Sequence, residues 1–260
     1  MISGYVIDAQ IGSIGVNERD YAKKNLTYFS SICDEKDIVI FDRGYPSRDM
    51  IAVLTGMGCK YLMRLPDSSF KGVKENPSND FRITVSTKTD TYSVRVVRVI
   101  LKSDEVETLI TNLSEDEFSA DDFLDLYFLR WGIETTYDTL KNKLLLEKFA
   151  GRSHVAVLQE YYAMMFVLNC IAAMSAAVNR KLVSSKADCK YRYRANVNLM
   201  IGYFKYRLSA MLLFAGKALG ICRQLILLCL KQPVPVIKGR FAPRPEFSHQ
   251  RKVFCPKYSI

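Results

Sequence analysis

The sequence predicts an α/β fold with a β-strand insertion and a helical C-terminal region, and three observations carry this reading. A short continuous apolar run, DIVIF at 37–41, is bounded by charges, as in a strand buried on both faces. Helical and strand patterns alternate around it from residue 4 to residue 65. Two long apolar stretches of helical character, 155–180 and 198–231, fill most of the C-terminal half.

The elements follow in order. GYVIDAQIG (4–12) alternates and predicts a strand, and ERDYAKKNLTYFSSIC (18–33) fits an amphipathic helix. The 37–41 strand runs into the turn Asp42-Arg43-Gly44-Tyr45-Pro46. Ser47 is placed to cap a helix over 48–57, with Gly58 just past its end. KYLMRL (60–65) is a further strand, and 66–80 is loop-like. Residues 81–88, 91–102 and 104–111 predict an antiparallel meander, read as an insertion over 66–112 in a core formed by 1–65 and 113–155. Ser119 and Asp122 have capping-box spacing, and one long helix is expected to run from there to about Ala150, stopped by Gly151. A helical region over 156–232 and a basic tail over 233–260 complete the chain. That tail holds six Lys or Arg against one acid, half of the net charge of +10.

Charge and cysteine usage narrow the function classes. A pI of about 9.2 favours a polyanionic partner, nucleic acid or an acidic membrane surface. Seven irregularly spaced cysteines, with no C-x-x-C pair and two histidines, argue against a zinc site or a disulfide framework and for a reducing cytoplasm. The N-terminus lacks the pattern of a signal peptide. Residues 161–179 are long and apolar enough to suggest a membrane span. Their Asn169, Ser175 and Asn179 favour a buried core helix instead.

On the expected long helix, Tyr127, Arg130, Glu134 and Lys141 share one stripe, with Lys148 beyond them. Leu126, Leu129, Ile133, Leu140 and Leu144 form the neighbouring arc that should face the core. Taken alone, Arg130 and Glu134 at i,i+4 also describe an ordinary surface ion pair. Asp42 adds a second carboxylate at a strand end, where ligands gather in α/β sheets, although a turn aspartate capping local amides would look the same. Two carboxylates so placed suit an oxygen-ligand Mg²⁺ site, and neighbouring cations suit DNA phosphates.

The segment from Tyr127 to Lys141 matches Y-x2-R-x3-E-x6-K. With the continuation Leu146 to Ser153, and with Asp42-Arg43-Gly44-Tyr45 upstream, it resembles the insertion-sequence-4 type of DDE transposases. The likeness is close over roughly 1–155 and looser beyond. It implies an RNase H-like mixed sheet with flanking helices. Asp42 and Glu134 would be catalytic metal ligands for Mg²⁺ or Mn²⁺. Tyr127, Arg130, Lys141, Arg43, Lys148 and Arg152 would contact DNA. The reaction would be metal-dependent nicking of a transposon end by water, followed by strand transfer from the freed 3′-hydroxyl. Partners would be double-stranded DNA, at transposon ends and target, and a second copy in a homodimer. The setting would be a bacterial cytoplasm, at the nucleoid, with no membrane.

The family also uses a third carboxylate, an Asp on the first core strand. Asp8 lies on what resembles a later strand, and Asp20 and Asp34 lie on or near the following helix, so none of them fits that role. The expectation is therefore an N-terminally truncated, catalytically incomplete copy. The alternative is a non-catalytic DNA-binding or dimerising remnant that inhibits an intact transposase.

Overall fold

A computed structural model of the chain describes residues 4–13, 15–66, 70–101, 104–144, 149–185 and 189–237. It divides into two compact units, Ile7–Glu134 and Met1–Val6 with Thr135–Ile260.

The first unit is built on a five-stranded mixed sheet. After α1 (Glu18–Phe29) come β1 (Ile38–Phe41), α2 (Arg48–Gly56), β2 (Lys60–Arg64), β3 (Asp80–Ser86), β4 (Thr91–Ile100), β5 (Val106–Thr111) and α3 (Asp122–Phe128). The strand order is β1-β2-β5-β4-β3. β1 and β2 are parallel, with Phe41 opposite Met63, because α2 returns the chain across the sheet between them. The remaining pairs are antiparallel, so the 80–111 meander continues the same sheet through β5 on β2.

Alternation along the strands separates two apolar layers. Tyr61, Met63, Val94, Val96 and Ile110 pack with Leu26 of α1 and with Met50, Ile51 and Leu54 of α2. Leu62, Val97, Val99 and Leu109 pack on the opposite face with Leu113 and with Phe123 and Tyr127 of α3. This mixed sheet flanked by helices is compatible with an RNase H-like fold.

Local signals explain the boundaries. Ser47 is extended and its side chain accepts the Met50 N–H, capping α2. Gly58 has φ +69, a left-handed value that glycine adopts without strain, and this turns the chain into β2. Ser119 donates both its N–H and its hydroxyl to Asp122 Oδ2 ahead of α3.

Two expected elements differ. Residues 4–12 are irregular among the described residues rather than a strand. Val6 exchanges two hydrogen bonds with the side chain of the distant Asn169, and Asp8 accepts from the neighbouring Ala9 N–H. The expected long helix is broken into α3, α4 (Trp131–Asp138) and a π-helical turn at Thr139–Lys143. Between α3 and α4 the N–H groups of Leu129, Arg130, Gly132 and Ile133 bond to carbonyls three residues back, so the chain is wound more tightly there.

In the second unit, α5 (His154–Ser185) packs with α6 (Val197–Leu213) and α7 (Ala215–Lys231). β6 (Arg192–Arg194) pairs antiparallel with β7 (Val234–Val236), at the start of the segment expected to be a basic tail. Residues 238–260 of that segment lie outside the described residues. α5 is long and apolar enough to cross a membrane by length and composition. Its Asn169 and Asn179 nevertheless hold the backbone of Val6 and Ala195, as a helix packed within protein uses its polar groups.

Candidate functional site

Four side chains of the sheet unit meet beyond the C-terminal ends of the parallel strands. Asp42 follows β1 directly and Arg64 ends β2, its parallel neighbour. Tyr127 comes from the last turn of α3 and Arg130 from the tight turn after it. Ends of parallel strands collect ligands because the chain leaves the sheet there and exposes side chains without breaking the ladder.

The break in the helix shapes this cluster. Over a tight i→i+3 turn, side chains three apart eclipse instead of spreading around the axis. Arg130 thus lies over the Tyr127 ring, with its guanidinium carbon 5.5 Å from the centroid, and 5.7 Å from the Trp131 ring. Tyr127 is 5% exposed and turned inward, not on a solvent-facing stripe, and its hydroxyl donates to Asp42 Oδ1 at 3.2 Å. Of the arc expected to face the core, Leu140 and Leu144 are buried and Leu126 packs against the core beside Phe123 and Tyr127, while Leu129 and Ile133 are 45% and 53% exposed.

Arg130 links the two carboxylates. Its Nη1 lies 3.5 Å from Asp42 Oδ2, and its Nη2 donates to Glu134 Oε1 at 3.0 Å. Glu134 sits in the first turn of α4, toward the positive end of the helix dipole. Asp42 also accepts the Arg43 backbone N–H at 2.8 Å, so the turn-capping reading is correct alongside the ion pair.

These contacts set the local electrostatics. Burial works to raise the Asp42 pKa. The Arg43 N–H, the Arg130 charge, the Tyr127 hydroxyl and the Arg64 charge outweigh it and bring the carboxyl below its ordinary value. The Tyr127 phenol is pushed up to about 12, first by burial and then by the Asp42 charge. The site therefore holds an ionised Asp42 beside a neutral phenol at neutral pH.

The remaining predicted residues fall elsewhere. Arg43 is exposed beside Asp42. Lys141, in the π-helical turn, and Arg152, exposed just before α5, both belong to the second unit. Lys148 lies outside the described residues. Sequence reasoning missed Arg64, which pairs with Glu107 at 2.8 Å and adds positive charge at Asp42 and Tyr127. The available signal was a charged residue ending an apolar strand parallel to the one that carries Asp42.

Asp42 and Glu134 are hard oxygen donors suited to Mg²⁺, which commonly takes one or two carboxylates and completes its shell with water and substrate phosphates. Among the described residues no group of three or more His, Cys, Asp or Glu is placed to hold a metal. As a donor set Asp42 and Glu134 alone would offer such an ion two carboxylates, both now in contact with Arg130.

The family described as transposase DDE domain matches residues 2–170, well over half of the 260-residue chain. The chain belongs to the transposase DDE domain family. No curated protein matches it. The matched span includes Asp42, Tyr127, Arg130 and Glu134. A transposase DDE domain belongs to enzymes that cleave and transfer DNA, so DNA is the substrate class and a divalent metal the usual cofactor of the family.

Proposed function

We propose that this chain is a DDE transposase of the insertion-sequence-4 type, acting on insertion-sequence ends, with Asp42 and Glu134 as its metal-binding carboxylates. One observation carries the reading: carboxylates 92 positions apart share one guanidinium at the C-terminal ends of parallel strands. A solvated surface pair would not recruit a half-buried aspartate from another element or bury a tyrosine against it.

Asp42 and Glu134 would hold one Mg²⁺ or Mn²⁺, which when bound supplies charge neutralisation at the scissile phosphate and an activated oxygen nucleophile. Arg130 offers a planar fork of donors matched to phosphate oxygens. Tyr127 keeps Asp42 oriented. Arg43, Lys141, Lys148 and Arg152 add positive charge for the DNA backbone, consistent with the +10 net charge. The reaction is nicking of a transposon end by water and strand transfer by the 3′-hydroxyl, in a homodimer at the nucleoid. The chain is expected to bind DNA, and nicking by it would need a third carboxylate beside Asp42 and Glu134. A second reading, a DNA-binding remnant that inhibits an intact transposase, is favoured by the occupation of both carboxylates by Arg130.

The test is binding and cleavage of labelled duplex carrying the ends of the matching element, with Mg²⁺ or Mn²⁺ and with Glu134→Ala in parallel. Binding without nicking supports the non-catalytic reading. Nicking that Glu134→Ala abolishes supports the metal ligands and overturns the non-catalytic reading. Absence of any preference for the element's ends overturns the transposase reading of this chain.

A further inference from the structure

Arg130 is held more tightly than the groups it neutralises. Its side chain is 11% exposed, against 44% for Asp42 and 37% for Glu134. It reaches both carboxylates and lies within cation–π distance of two rings. Yet its buried Nε meets no hydrogen-bond acceptor among the described residues. One cation thus contacts both carboxylates assigned to the metal.

We propose that Arg130 is a switch that couples metal binding to DNA binding, an inference that rests on the reading of Asp42 and Glu134 as metal ligands. Without DNA, the guanidinium occupies the two carboxylates and competes with a divalent cation. A DNA phosphate offers the same fork two oxygens and draws the guanidinium toward itself. The carboxylates then lose the charge of the guanidinium, which raises their affinity for the metal. The Tyr127 and Trp131 rings stay beside the guanidinium as it changes partners. The coupling is reciprocal, so the metal must tighten DNA binding by the same factor as DNA tightens metal binding. The chain would thereby avoid holding a loaded metal site away from its substrate.

Arg64 is the internal control. It also places positive charge at Asp42, but its ion-pair partner is Glu107 and it does not bridge to Glu134. Simple loss of a nearby positive charge would make Arg64→Gln and Arg130→Gln alike.

The experiment is Mn²⁺ titration of the full chain followed by electron paramagnetic resonance, with and without a short duplex whose own Mn²⁺ uptake is subtracted. Wild type should bind Mn²⁺ weakly, and duplex should tighten it on the order of tenfold. Arg130→Gln should bind on the order of tenfold more tightly than wild type without DNA, and duplex should add nothing further. Arg64→Gln should stay near wild type and keep the response to duplex. Equal effects of Arg130→Gln and Arg64→Gln, or an undiminished duplex response in Arg130→Gln, overturn the switch. If Arg130→Gln does not fold by circular dichroism, Arg130→Met, which keeps the aliphatic stem without the charge, is read the same way. Adding Asp42→Asn to Arg130→Gln separates the two readings. If Mn²⁺ affinity does not fall, Asp42 is not a metal ligand and the underlying site assignment fails; if it falls while the switch tests fail, the site stands without the switch.

Discussion

Arg95 is expected to be a main electrostatic support of the site-bearing unit, although nothing in the sequence marks it. It is 1% exposed in the middle of β4, its Nε donates to Asp80 Oδ1 at 2.8 Å, and its Nη1 donates to the carbonyls of Ser114 and Phe118. Its guanidinium carbon lies 5.1 Å from the centroid of Phe123, the residue that seats α3 on the sheet. Replacing it by Met keeps most of the aliphatic volume but strands Asp80 and two carbonyls. Removing one partner of a buried pair costs about 3–5 kcal/mol. The Asp80 side chain is 31% exposed and can recover some hydration, so the low end, about 3 kcal/mol, is expected. Arg82 provides the contrast. It makes a two-pronged ion pair with Glu115 at 2.8 and 2.7 Å, but the two side chains are 42% and 50% exposed, and Arg82→Ala should cost about 0.2–1 kcal/mol. Urea unfolding of both variants by far-UV circular dichroism gives the comparison. If Arg95→Met is no more destabilising than Arg82→Ala, burial is not what gives the Arg95 contacts their weight, and the reasoning fails.

Three further outcomes follow from the same contacts. Tyr127→Phe removes the hydroxyl that helps depress the Asp42 carboxyl, so the Asp42 pKa should rise and stability should fall by about 1 kcal/mol; a carbon-detected NMR titration of Asp42 that shows no rise would count against the hydrogen bond. The Glu115 carboxyl is held at about 2, first by the hydrogen bonds from Arg82, against an ordinary 4.5. A folded-state pKa below the unfolded one stabilises above the unfolded value, so this contribution is complete above about pH 4.5 and is lost as pH falls toward 2. Arg82→Ala should therefore flatten the pH dependence of stability in that window, and an unchanged slope would refute the pairing. Ser47→Ala removes the α2 cap and should cost about 1 kcal/mol in the same urea assay, whereas a neutral result would mean that water replaces the hydroxyl.

Much of the sheet unit was legible because its signals are local. The 37–41 run, the Ser47 cap, the Gly58 turn and the three alternating strands are each decided by neighbours in sequence, and all correspond to elements found. Residues 4–12 alternate as a strand would, yet alternation alone does not supply a pairing partner, and Asn169, 163 positions away from Val6, takes up the backbone groups instead. The continuous helix over 119–150 failed for a related reason. Periodicity at 3.6 residues assumes an unbroken α-helix, and the hydrogen bonds of Leu129, Arg130, Gly132 and Ile133 close three residues back. Arg95 was invisible because a charged residue on a strand is read as facing solvent, and only the tertiary position of Asp80 makes an inward arginine tolerable.

The same tight turn explains why the motif spacing was informative even though the helix behind it was not. On a regular helix Tyr127, Arg130 and Glu134 would lie along one exposed face, the phenol no better placed than the others to reach β1. Winding the chain more tightly between α3 and α4 stacks Arg130 on Tyr127 while α3 buries the ring. It also leaves Glu134 one turn further on, still within reach of the guanidinium. Tyr127 of α3 and Arg130 of the turn then converge on Asp42 at the end of β1, and Glu134 of α4 joins them through Arg130. A spacing of three and four is compatible with either geometry. The difference lies in Asp42: the Tyr127 hydroxyl and the Arg130 guanidinium both reach it, which requires the inward turn. A substitution that regularised the 128–132 segment would preserve every residue of the Y-R-E-K pattern and still separate Asp42 from Arg130. The functional unit is therefore the pattern together with its break.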